Sequence, residues 1–229
     1  MTTFKCLATG SSGKTGSSGN CYLVNLGGGV IILDAGIPID KIVSNVNLND
    51  VKFACISHVH NDHSKSMKDL EKRRVKVIYG GNNESVKRSE VAAHKIIQIP
   101  IKHGECINNA FVISYKGECI LYATDFNLCE YNLSDFKFTR VIVECNFIDT
   151  LIEAIDFKTR RQINTHMSLD GLKIFLDKLN LTGCEEIDLI HMSEGYGNEI
   201  LMGSSIYARY KIPTCVCKKW GGVKGYGRR

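Results

Sequence analysis

In the stretch Ile56-Ser-His-Val-His-Asn-Asp-His63, three imidazoles and one carboxylate (His58, His60, Asp62 and His63) fall within six residues, directly after the apolar run Phe-Ala-Cys-Ile-Ser. Imidazole with carboxylate suits zinc, manganese or iron. The spacing is too tight for all four groups to close on one ion, so two adjacent ions are expected. Packing explains the cluster poorly, because buried imidazoles and carboxylates without partners carry a desolvation cost. A second stretch invites a different chemistry: Ala8-x4-Gly13-Lys14-Thr15 nearly spells a phosphate-cradling loop. Such a loop needs a helix N-terminus directly behind it to stabilise the anion. After Gly16 the chain continues Ser-Ser-Gly-Asn-Cys-Tyr-Leu-Val, turn residues and then β-formers, and no second acidic site for magnesium is evident. The segment reads as strand, loop, strand, and the nucleotide reading is set aside.

The elements that must position the cluster are mostly strands. Apolar runs recur at residues 4–9, 20–26, 30–36, 53–58, 75–80, 95–101, 111–115, 118–124, 140–146, 187–193 and 214–218. Three helical stripes lie among them: Ile39, Ile42, Val43 and Val46; Ile148, Leu151, Ile152 and Ile155; and Leu169, Leu172, Phe175, Leu176 and Leu179 behind Ser168, a good N-cap residue. Strands and helices mixed without a linker imply an α/β (α+β) sheet core with helices packed outside, in one domain spanning 1–229. Gly-Ser-Ser-Gly occurs at 10–13 and again at 16–19, a local duplication inside a loop. The end of the chain, residues 218–229, reads as a frayed basic tail of lysines, arginines and glycines.

Composition sets limits. The chain has 229 residues, 44% of them hydrophobic, and a net charge of +5. No run of eighteen apolar residues exists and the first residues form no secretory leader, so a cytoplasmic protein with no membrane partner is expected. Its ten cysteines then read as reduced thiols within strands. Cys215 and Cys217 would share a strand face but lack the spacing of a zinc or redox pair. His94, in Glu-Val-Ala-Ala-His-Lys-Ile-Ile, reads as an ordinary structural histidine.

His-Val-His-Asn-Asp-His resembles the His-x-His-x-Asp-His signature of metallo-β-lactamase-fold hydrolases. Other landmarks of that family occur in order: Ile-Leu-Asp34-Ala-Gly, Ile-Pro-Ile-Lys-His103-Gly, Tyr-Ala-Thr-Asp125-Phe-Asn and Leu-Ile-His191-Met-Ser. The resemblance implies a four-layer αβ/βα sandwich with two divalent ions, zinc or manganese or iron. His58, His60 and His103 would hold the first, Asp62, His63 and His191 the second, and Asp125 would bridge them. Asp34 would orient a ligand histidine by fixing its tautomer. Within the superfamily the chain looks most like the YycJ or WalJ branch, through Gly-Ser-Ser-Gly-Asn-Cys-Tyr-Leu-Val, Glu-Cys-Asn at 144–146 and His-Met-Ser at 166–168 and 191–193. Related nucleases pair a glutamate with a histidine at the positions of Glu144 and His166.

That pair implies phosphodiester cleavage. Two cations would activate water and neutralise the phosphoryl oxygens, Asp62 would orient the water or accept its proton, and His166, held by Glu144, would donate a proton to the leaving alkoxide or bind phosphate. The expected partner is single-stranded or nicked nucleic acid, or a nucleotide phosphodiester, and the sequence leaves a homodimer open. Ser17, Ser18, Gly19 and Asn20 form a candidate substrate loop at the rim of the cleft. The chain departs from the branch in the extra Lys-Thr-Gly-Ser-Ser-Gly, in Thr165 before His166 and in Phe147. Only sixty-five residues separate Asp125 from His191, too few for a large cap domain. The rival readings are a cyclic-nucleotide phosphodiesterase, a thioester or lactone hydrolase of the same fold, and a non-catalytic nucleic-acid-binding module using Trp220 and Tyr226.

Overall fold

The computed structural model describes residues 2–10, 19–81, 85–152, 160 and 163–227. Two sheets form its centre. The first has five strands in the order β1 (Thr3–Ala8), β2 (Cys21–Asn25), β3 (Val30–Leu33), β4 (Val51–Ile56) and β5 (Val77–Tyr79). The second runs from β6 (Lys87–Val91) through β7 (His94–His103), β8 (Cys106–Tyr115), β9 (Glu118–Ala123), β10 (Arg140–Glu144), β11 (Glu186–Ile190) and β12 (Thr214–Cys217) to β13 (Val223–Tyr226).

The two-residue period of the strands sorts their side chains into layers. On β3, Ile31 and Leu33 join the core between the sheets while Ile32 faces the outer layer. On β10, Ile142 faces that central core while Val141 and Val143 face outward. The outer layer of the first sheet is covered by helices α1 (Ile39–Val43) and α3 (Met67–Lys72) through Ile42 and Leu70. The outer layer of the second is covered by α4 (Leu169–Leu176) and α5 (Glu199–Tyr210) through Leu172, Phe175, Leu176, Met202 and Ile206. Four layers, αβ/βα, result. A four-residue turn of helix, α2 (Asn61–Ser64), lies outside these layers.

Each of the eleven apolar runs contains a strand, and Ser168 caps α4 by accepting a hydrogen bond from Gly171 N at 3.0 Å. The stripe from Ile39 yields only a five-residue helix, because Val43 is turned to solvent. The stripe at 148–155 yields a short 3-10 turn over Asp149–Leu151, and Ile155 lies outside the described residues. The basic end is not frayed throughout. Val223–Tyr226 pairs antiparallel with β12 as strand β13, because the glycines at 221 and 222, both at positive φ, turn the chain back on itself. Among the described residues no helix is long and apolar enough to cross a membrane.

Strand direction matters most for the site. β3 and β4 are parallel, as are β9, β10 and β11. β7 runs antiparallel to β8 and β8 antiparallel to β9, so β7 points the same way as β9. The C-terminal ends of all these strands in each sheet therefore meet at one edge. At the opposite end of β10, Arg140 donates to Asp188 Oδ2 at 2.8 Å and to Thr2 O at 3.0 Å, and also pairs with Glu186. Arg140→Ala would leave Asp188, which is fully buried, without its cation. Breaking a buried pair this way costs about 3–5 kcal/mol, which urea denaturation would read as an earlier midpoint at unchanged slope.

Candidate metal centre

Six of the seven histidines converge where those strands end, and His94 is the exception. His94 stacks on Tyr115 with ring centroids 4.4 Å apart, away from the cluster. Asp34 follows β3, His58 follows β4 by two residues, His103 ends β7, Asp125 follows β9, Glu144 ends β10 and His191 follows β11. Three of them have left-handed backbone: Asp34 at φ 55°, Asp125 at φ 52° and His191 at φ 55°. Non-glycine residues held there cost on the order of 1–3 kcal/mol each, aspartate less than histidine. The turn swings each side chain off its strand and into the cleft. Asn108 holds one such turn in place, donating from its side chain to the carbonyls of Thr124 and Asp125 at 2.5 and 2.8 Å.

The imidazole and carboxylate groups fall into two sets. His58, His60 and His103 bring ring nitrogens within 4.8 Å of one another, and Asp62, His63 and His191 do the same with their ligand atoms. Asp125 stands between the sets, with Oδ2 2.7 Å from His63 Nε2 and 3.5 Å from His58 Nε2, and Oδ1 2.7 Å from His191 Nδ1. Behind the centre, Asp34 accepts hydrogen bonds from His63 Nδ1 at 2.6 Å, Tyr122 Oη at 2.5 Å, Ser57 Oγ at 2.8 Å and Ser57 N at 2.7 Å. Its carboxylate is thus saturated and fixes the ring of His63.

On the other flank, Glu144 is fully buried. It accepts from His166 Nδ1 and His191 Nδ1, both at 2.7 Å, and from the backbone of Phe126 and Met167, both at 3.1 Å. The three-residue motifs around it meet here. Asn146 Nδ2 donates to His191 O at 2.7 Å, Asn146 N donates to Met167 O at 2.8 Å, and Ser193 N donates to Asn146 O at 2.8 Å.

Electrostatics follow from packing these groups away from water. Burial, with the neighbouring ring of His63, holds His58 well below the usual imidazole range. Burial lowers His103 also. Burial works against charge on His63 too, but the carboxylates of Asp125 and Asp34 outweigh it and push that ring well up. His191 is pushed up to about 10, because Asp125 and Glu144 outweigh its burial. Burial likewise opposes ionisation of Asp125 and Glu144, yet the facing imidazoles drive both down. The facing carboxylates thus favour protons on His63 and His191. These nitrogens are what a divalent ion takes up, and His191 Nε2 is buried with no hydrogen-bond partner. Nitrogen and oxygen donors grouped in this way suit a divalent metal ion. Since each ion displaces protons, affinity falls as pH is lowered.

Of the candidate substrate loop, Asn20 is fully buried: its N–H donates to Asp62 O at 2.7 Å and its side-chain nitrogen lies 3.0 Å from His63 Nε2, so it braces the ligand loop. Gly19 is pinned behind it at φ 74°, where a Cβ would stand 2.1 Å from Gly36 O. Ser17 and Ser18 lie outside the described residues. Among the described residues, Gly19 and Asn20 lead into β2 at Cys21, not into the helix that a nucleotide-binding loop requires. Cys215 lies near Glu186 and Asp188 in a second cluster of metal-type donors, but the guanidinium of Arg140 already neutralises those two carboxylates. Sequence reasoning missed Tyr122, Ser57 and Asn108. The consecutive amides Asn108-Asn109 inside an apolar strand were the available signal.

Comparison with known proteins agrees with this geometry. A sequence profile of the metallo-beta-lactamase superfamily matches residues 15–95. The metallo-beta-lactamase fold protein YhfI from Bacillus subtilis superposes with a TM-score of 0.67 at 16% identity, over 97% of this chain and 99% of that one. The chain has the metallo-β-lactamase fold. Human tRNase Z, short form, gives a TM-score of 0.58 at 13% identity over 85% of this chain and 93% of its own. A diphosphatase of the PhnP family gives 0.63 at 12% identity over 100% and 98%. No curated protein matches the chain by sequence.

Asp34→Ala removes the acceptor that holds His63. Metal affinity should fall about 10- to 100-fold in a chelator-competition titration, with the far-ultraviolet spectrum unchanged.

Proposed function

We propose that the protein is a metal-dependent hydrolase of phosphodiester bonds, acting on nucleic acid, single-stranded or nicked. The observation that carries this reading is the His166–Glu144 pair beside the two donor sets. His166 Nδ1 is committed to Glu144 at 2.7 Å and lies 3.5 Å from Asp125 Oδ1, so the ring is anchored through one nitrogen and its Nε2 is left for the cleft. Its side chain is 16% exposed, whereas those of Asp125 and His191 are nearly enclosed. A partly exposed imidazole with a buried carboxylate behind it can hold a proton at Nε2 and place it on a leaving oxygen. A lactone or thioester reaction would need an oxygen or sulfur leaving group protonated too, but it would not need charge neutralised over several phosphoryl oxygens.

His58, His60 and His103 would hold one divalent ion and Asp62, His63 and His191 another, with Asp125 shared. Bound there, the ions supply Lewis acidity and an activated water. Asp62, partly exposed on α2, has its side chain 3.6 Å from His63 Nε2, where it would orient that water or take up its proton. His103 is steadied by Thr165 O, 3.1 Å from its Nδ1, which links the first donor set to the residue before His166. The structural likeness to a tRNase Z and to a diphosphatase supports phosphate chemistry, as do the motifs shared with the YycJ or WalJ branch.

With bis-para-nitrophenyl phosphate, a cyclic nucleotide and a thioester assayed side by side under each divalent metal, the diesters should turn over. Hydrolysis of the thioester alone would refute the substrate class. Asp62→Ala should abolish turnover and lower occupancy of the second ion. His166→Ala should keep both ions and slow the chemical step about 10²-fold or more. Loss of metal from His166→Ala would instead make His166 a ligand, as its place among the donors around Asp125 permits.

A further inference from the structure

A groove of about 370 Å³ is lined by Lys5, Leu7, Ile37, Lys41, Asn45 and Trp220. We infer that this groove binds a single-stranded nucleic-acid segment, one base stacking on Trp220 while Lys5 and Lys41 meet the adjoining phosphates. The inference takes its ligand class from the phosphodiester reading above and adds the place where the strand is gripped.

Trp220 is the most exposed large apolar side chain among the described residues, at 69%. An exposed indole on a frayed terminus would mean little, but the backbone under this one is fixed. Lys218 N donates to Gly222 O at 3.0 Å and Gly221 N to Lys218 O at 2.9 Å, which closes the turn between β12 and β13. Gly222 N donates to Cys6 O at 3.1 Å and Thr9 N to Lys219 O at 3.2 Å, which fastens that turn to β1. Gly221 sits at φ 95°, where a Cβ would approach Leu7 O to 2.8 Å, so the close approach depends on glycine. A flat aromatic face is thus held out in water by a rigid mount. Aromatic faces in basic grooves are how proteins hold single strands, because every base has a face to stack and every phosphate a charge to neutralise.

The charge and position of the groove agree with that occupant. Lys5 and Lys41 are exposed, and no carboxylate is among the described lining residues. Lys219 lies 5.3 Å from the Trp220 ring centroid and pairs with Glu194, which leaves Lys5 and Lys41 as the lining cations. Chain neighbours of the groove residues touch residues of the metal centre. Ile37 adjoins Gly36, whose Cβ position lies 1.7 Å from Asp62 O, so that wall is packed against a candidate ligand. Two residues beyond Leu7, Thr9 Oγ1 accepts from His191 N at 2.8 Å.

Trp220 is the single tryptophan of the chain, so its own emission reports occupancy. The protein as purified with its metal would be titrated with a phosphorothioate oligothymidylate of about twelve nucleotides, a length that covers typical single-strand sites. Emission should quench saturably. An abasic oligomer of equal charge should bind more weakly. Trp220→Ala should weaken binding about 10-fold or more, measured by anisotropy of a labelled oligomer, and Trp220→Tyr should recover most of it. Lys5→Ala and Lys41→Ala should each lower the salt slope of the binding constant by about 1. Unchanged emission at saturation, equal binding of the abasic oligomer or of an acidic peptide, or no binding at all would overturn the inference. Quenching without turnover of any diester would leave the groove standing and remove the hydrolase reading. Turnover of the small diester without quenching would do the reverse.

Discussion

Asp125 lies within 2.7 Å of both His63 and His191, and at that depth neither a carboxylate nor an imidazolium is tolerated without its counterpart. The rest of the cleft serves this balance. Asp34 saturates its own oxygens on Tyr122 and Ser57 so that His63 keeps one orientation, and Glu144 does the same for His191 and His166. Two separate carboxylates, one behind each donor set, thus hold the rings from outside while Asp125 joins them from within. The left-handed turns at Asp34, Asp125 and His191 are the backbone counterpart of this arrangement. Such turns persist only where surrounding structure over-determines them, and at Asp125 and His191 the hydrogen bonds from Asn108 and Asn146 do so.

The sheet core was legible in the sequence because buried strands announce themselves, Val-Ile-Ile-Leu and Arg-Val-Ile-Val-Glu leaving few other readings, whereas the four layers rested on the family likeness. Lys87–Val91 was invisible for the opposite reason, since Lys-Arg-Ser-Glu-Val has neither an apolar run nor a period and forms a strand only because β7 offers it an edge. Helix α5 was missed because it buries only Met202, Gly203 and Ile206 and leaves Ile200 and Leu201 in solvent, which blurs any stripe. The tail was misread from its glycines, which permit a tight turn as readily as fraying.

The candidate site divides in the same way. His58, His60, Asp62 and His63 lie close together in the chain, so their types and spacing alone suggested metal. His103, Asp125, Glu144, His166 and His191 are separated by tens of residues, and local pattern carries no information on distances that only the sheets set. Their assignment needed a family likeness, and the structure brings them together at one sheet edge. Asn20 shows the opposite failure: a polar residue in a glycine-rich loop suggests solvent and substrate, yet this one is enclosed and serves as a strut.

The outermost strand of the larger sheet carries Lys87, Arg88 and Glu90, and Arg88 reaches across to Tyr131. An unpaired strand edge is a template on which a stranger's backbone could dock, and ammonium and guanidinium groups along it must shed their hydration before that can happen. The same polar character that hid this strand from pattern reading therefore guards a long, otherwise apolar sheet against fibrous self-stacking.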